Sequence, residues 1–106
     1  MRLLLDENLP KRLKADVLPH DAHTVRDMGW NGKGNGELLA LMRREGFHAL
    51  IRFDKNMEYQ QNFDKYDIPA VVLDAEDNTH AVLRALMPKV LLLLDAGAEP
   101  GPHAVR

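Results

Sequence analysis

The sequence predicts a three-layer α/β domain, a small and mostly parallel sheet flanked by helices. Three observations predict it. Short apolar runs, Arg2 to Leu5, His48 to Phe53 and Pro69 to Leu73, have the length and density of strands buried on both faces. Segments with helical spacing stand between them, which is the β-α-β alternation of a parallel sheet. The chain has 106 residues, 45% of them apolar and 28% charged, enough for one core and one domain.

Arg2 to Leu5 is the first strand. Asn8 then caps a helix, with Pro10 in its first turn where a missing N–H costs nothing. Leu9, Leu13, Val17 and Leu18 face the core, while Lys11, Arg12, Lys14 and Asp16 face water; Pro19 and His20 end the helix. Ala22 to Val25 is a short second strand. Arg26 to Gly36 carries Gly29, Gly32, Gly34 and Gly36 and reads as a loop, with Trp30 plugging the core. Asn35 caps a helix over Gly36 to Glu45, with Leu38, Leu39, Leu41 and Met42 inward and Glu37 in its first turn. Gly46 stops it.

His48 to Phe53 is the third strand, Lys55 to Asp67 a polar connection with some helix, and Pro69 to Leu73 the fourth strand. Asn78 caps a helix from Thr79 to Leu86, and Pro88 starts another that runs to Ala96. The domain spans residues 1–96. The tail, 97–106, is rich in proline and glycine and is available as an edge strand.

Cysteine is absent, so there is no disulfide framework or thiolate site, which fits a reducing cytoplasm. A net charge of −2 gives no global basic field, so nucleic acid must be met by a local patch. His20, His23, His48, His80 and His103 are dispersed, and no zinc site is expected. Met1 leads straight into a strand, so no targeting segment is expected. Val90 to Leu94 is far short of the ~20 residues that span a bilayer. That run is apolar on every side of its helix, which predicts a homodimer or a groove for a partner protein.

Two of the apolar runs finish on a carboxylate, Asp6 and Asp54. Ligands of open α/β sheets bind beyond the carboxyl ends of the strands. Asp6, Glu37 and Asp54 would repel one another if brought together without a counterion, with Asn8 and Asn56 as neutral oxygen donors nearby. A Mg²⁺ or Mn²⁺ ion relieves that repulsion and activates water for attack on a phosphodiester. The plainer reading is that these acids cap helices or face solvent. Lys11, Arg12, Arg26 and Lys33 are candidates for a rim that meets a phosphate backbone. The segment 56–62 adds Tyr59 and several amides.

Three stretches, Leu4-Leu5-Asp6-Glu7-Asn8-Leu9-Pro10, Gly29-Trp30 through Asn35-Gly36-Glu37-Leu38-Leu39, and Leu50-Ile51-Arg52-Phe53-Asp54-Lys55-Asn56, together resemble the short bacterial PIN-like family. The resemblance runs from Met1 to about Leu94. It implies a PIN-like fold and a nuclease that uses acids and Mg²⁺ or Mn²⁺ to cut single-stranded RNA. Many relatives are toxins of toxin–antitoxin modules, which implies an antitoxin protein as partner. By position Asp6, Glu37 and Asp54 match the family's catalytic and metal-binding acids. The family's sheet would set the strand ending in Asp54 beside the strand ending in Asp6.

The chain departs from the family at two positions: Asn56 stands where a further Asp is common, and Arg52 where Thr or Ser is usual. Residues two apart on a strand share a face. Three readings of Arg52 follow: it pairs with Asp54 and displaces metal, it holds a phosphate, or it bends to solvent. Two other functions compete with the nuclease. One is a receiver-like signalling domain phosphorylated on Asp54, with Asp6-Glu7 as its acid doublet; the other is a non-catalytic protein-binding module.

Overall fold

The structure, a computed structural model, describes residues 1–54 and 67–106. Among the described residues nine elements follow one another: β1 (Arg2–Leu5), α1 (Leu13–Asp16), β2 (Asp21–Thr24), α2 (Asn35–Arg44), β3 (Ala49–Phe53), β4 (Pro69–Leu73), α3 (His80–Arg84), α4 (Met87–Asp95) and β5 (Gly101–Val105). The strands make one sheet in the order β2-β1-β3-β4-β5, and every pairing is parallel. The tail is thus the edge strand β5.

Strand alternation sorts the core into two layers. Leu3, Leu5, Ala49, Ile51, Val71 and Leu73 point to one face, where Leu13, Leu83, Met87, Val90 and Leu94 of α1, α3 and α4 cover them. Leu4, Leu50, Ala70 and Val72 point to the other, under Leu38, Leu39 and Met42 of α2, with Trp30 and Phe47. Trp30 is the core plug, its ring edge-on to Phe47 at 5.7 Å. The α/β, three-layer expectation therefore holds.

Several local expectations do not. The first helix is only Leu13–Asp16, because residues 9–15 run through tighter turns, Leu9 N–H to the Asp6 carbonyl and Leu13 N–H to the Pro10 carbonyl. Leu18 therefore lies past the helix and is exposed at 66% rather than in the core. Asp16 faces α3 instead of water: His80 Nε2 lies 2.7 Å from its Oδ2 and Arg84 Nε 3.7 Å from its Oδ1. Gly34, one residue before Asn35, is the cap of α2. Thr79, not Asn78, caps α3. On α4, Val90 and Leu94 are buried and Leu91 and Leu93 pack against the core, leaving Leu92 exposed at 70%. No helix among the described residues is long and apolar enough to cross a membrane.

Candidate functional site

In the order 2-1-3-4-5 the connection from β1 moves outward to β2 and then returns across the sheet to β3, so the switch point lies between β1 and β3. Leu5 is level with Ile51, and the Asp6 N–H continues the ladder to the Ile51 carbonyl at 2.9 Å. Asp6 thus stands at the carboxyl edge on the switch point. The alternation that sends Leu4 and Leu50 to the α2 face sends Asp6 and Arg52 the same way. Arg52 Nε lies 3.7 Å from Asp6 Oδ2, with the two side chains 21% and 18% exposed. Asp6 Oδ1 also accepts the Glu7 N–H at 2.9 Å.

Asp54 follows β3, and its N–H donates to the Leu73 carbonyl at 3.1 Å. Beside it the structure brings Asp74, whose N–H donates to the Val105 carbonyl at 2.9 Å and whose Oδ2 accepts Arg106 Nε at 2.7 Å. Asp74 and Arg106 are functional candidates that the sequence reading missed. Asn8 is placed as expected, near the end of β3: its Nδ2 donates to the Phe53 carbonyl at 3.1 Å. Asn78 Nδ2 in turn donates to the Asn8 carbonyl at 2.8 Å, stitching the loops after β1, β3 and β4 together.

Glu37 is on α2, exposed and paired with Lys33, whose Nζ lies 3.8 Å away; among the described residues it does not gather with Asp6 and Asp54 as a group of three acids. The glycine loop ahead of α2 still reaches the site, because Gly32 N–H donates to Glu7 Oε1 at 3.3 Å. A positive φ of 77° suits glycine at that turn. Asn56 and the segment with Tyr59 lie outside the described residues.

On the β2 side of Asp6 is a cleft of about 230 Å³, lined by Asp6, Glu7, Leu9, Lys11, Thr24, Arg26 and Asp27. Its far wall is a reciprocal turn: Asp27 N–H donates to Thr24 Oγ1 at 2.9 Å, and Thr24 N–H to Asp27 Oδ2 at 3.0 Å. The hydrogen bond from Lys14, then that from the Thr24 backbone, hold the Asp27 carboxyl down at about 2. Since that value is below the ordinary 3.8, the stabilisation is complete above 3.8 and fades as pH falls toward 2. In acid titrations followed by circular dichroism, Asp27→Asn should cost about 1 kcal/mol at neutral pH, discounted for solvent screening, and flatten the acid limb. An acid limb unchanged in the variant would remove Asp27 as its source.

Of the four predicted rim cations, Lys11 and Arg26 line the cleft and form no ion pair with the described residues, Lys33 is engaged by Glu37, and Arg12 lies outside the cleft at the start of α1. Among the described residues no three Asp, Glu or His side chains gather as a ready metal cage. Magnesium does not require one, since it commonly takes one or two carboxylates and completes its shell with water and substrate phosphate. Two strand-end aspartates on neighbouring strands fit that chemistry. Comparison with protein-family models, curated proteins and solved structures gives no match for this chain.

Proposed function

We propose that this chain is a PIN-like, metal-dependent endoribonuclease acting on single-stranded RNA, and the toxin of a cytoplasmic toxin–antitoxin pair. The observation that carries the reading is Asp6 at the carboxyl end of β1, on the switch point beside the strand that ends in Asp54. Asp6 and Asp54 would hold Mg²⁺ or Mn²⁺. When bound, the ion supplies Lewis-acid polarisation of a phosphoryl oxygen and a water of lowered pKa.

The chain's own residues do the rest. Lys11 and Arg26 hold a backbone phosphate across the cleft. Asn8 and Asn78 fix the loop that carries Asp6. Cleavage of a labelled single-stranded RNA in Mn²⁺, abolished by a chelator and restored by Mn²⁺, supports the reading; metal-independent cleavage by the pure protein contradicts it. For RNA binding, each of Lys11→Ala and Arg26→Ala should lower the slope of log affinity against log salt by about 0.7. Unchanged slopes would take the RNA out of the cleft.

A second reading has one observation in its favour. The order 2-1-3-4-5 is also that of receiver domains, with Asp54 after β3 in the phosphoacceptor place. Incubation with a small phosphodonor, followed by intact mass, separates the two: a phosphoryl adduct lost in Asp54→Asn favours the receiver.

A further inference from the structure

Three carboxylates line the cleft beside Asp6, and two of them already face a cation. Asp6 faces Arg52 at 3.7 Å, and Asp27 is held by Lys14 and by the Thr24 N–H. Glu7, the third, is exposed and forms no ion pair with the described residues. Its side chain takes one hydrogen bond among them, from the Gly32 N–H to Oε1 at 3.3 Å. A carboxylate is an acceptor-only group with about four lone-pair sites, so Oε2 and part of Oε1 stay available to a ligand. Lys11 and Arg26 share the cleft and also form no ion pair with the described residues, and Leu9 gives it an apolar side. The volume, about 230 Å³, is below the ~300 Å³ at which sites for drug-sized ligands begin, so it suits one nucleobase rather than a stacked pair.

Cations for a phosphate, an apolar side for a ring face and an available carboxylate for a ring edge are the parts of a nucleotide subsite. Bases of single-stranded RNA are splayed out and read on their Watson–Crick edges. Guanine alone presents two adjacent donors there, N1–H and the 2-amino group, which match the two oxygens of a carboxylate. Adenine and cytosine set one amino group beside a ring-nitrogen acceptor, and uracil sets one N–H between two carbonyls. Each of those three turns lone pairs toward the carboxylate. We propose that Glu7 makes the cleft a guanine subsite, so that RNA is cut next to a guanine. This rests on the reading above that RNA enters the cleft, and it names the base held there.

The test is calorimetric titration of the whole protein, without metal, with the 5′-monophosphates of guanosine, adenosine, cytidine, uridine and inosine. The parent should bind the guanosine nucleotide about fivefold or more tightly than the adenosine, cytidine and uridine ones. Inosine, which keeps N1–H but lacks the 2-amino group, should fall between. Glu7→Gln keeps an oxygen for the Gly32 N–H and so preserves the loop contact, but sets an N–H donor against guanine; it should lose the preference. Lys11→Ala should weaken all five about equally and leave the preference in place. Equal binding of the five by the parent, no binding of the guanosine nucleotide, or a preference unchanged in Glu7→Gln overturns the proposal. Mn²⁺-dependent cleavage of a random-sequence RNA separates it from the nuclease reading. Cuts without regard to guanine leave the nuclease and remove the guanine subsite, whereas a guanine preference in titration with no cleavage keeps the subsite and removes the nuclease.

Discussion

Replacing Asp6 by asparagine is expected to lower Mn²⁺-dependent cleavage of single-stranded RNA by about a hundredfold or more. Loss of groups that merely orient metal ligands costs about 10–100-fold, and a ligand itself should cost at least the upper figure. Asparagine keeps the shape of the side chain and one oxygen but loses the charge that faces Arg52 at 3.7 Å and would face the metal. Asp74→Asn is the comparison. Asp74 is already engaged by Arg106 at 2.7 Å, so the same change there should cost less activity. Single-turnover cleavage with saturating metal reads both, and equal losses would move the reactive centre toward β4.

Leu50→Ala should destabilise the fold by about 2–5 kcal/mol, the usual cost of a large-to-small change in a packed core. Leu50 is 1% exposed, level with Leu4 on β1 and Ala70 on β4, and lies in the layer under α2 with Trp30 and Met42. Leu92→Ala, at a residue 70% exposed on α4, should change stability by about 0.5 kcal/mol or less. Urea melts of the two variants check both values. A loss below about 1 kcal/mol for Leu50→Ala would mean that the α2 layer is not packed as described.

How much of this was legible in the sequence depended on range. Strand density and periodicity are local, so β1, β3 and β4 were found nearly to the residue, and the adjacency of β1 and β3 was expected from the family resemblance. Long-range pairings were not legible. The bond between His80 and Asp16 spans 64 residues, and nothing local marks either residue for it. Asn78 looked like a helix cap because asparagine before a helix usually is one, yet its amide serves the Asn8 carbonyl. Asp74 was within reach: Val71-Val72-Leu73-Asp74 repeats the apolar run and terminal acid seen at Asp6 and Asp54. Its place beside Asp54 needed the strand order.

For the candidate site, sequence located Asp6 and Arg52 and posed the question of what Arg52 meets. Alternation within β3 suggested Asp54, two residues on. Register between strands placed Arg52 beside Asp6, since Leu5 is level with Ile51 and the next residues face each other. Glu37 joins the acidic set from its place in the first turn of its helix, and the family pattern matches it by position. Its exposure and its pairing with Lys33 follow from the glycine loop that sets the start of α2.

The central claim is that a divalent metal binds at the carboxyl ends of β1 and β3. Paramagnetic broadening of backbone amide signals by substoichiometric Mn²⁺ reports the position of the ion directly. Asp6, Glu7, Arg52, Asp54 and Asp74 should broaden first, while Arg2, Asp21 and His48 at the opposite edge keep their intensity. Broadening centred on that opposite edge, or uniform broadening with no centre, would contradict it.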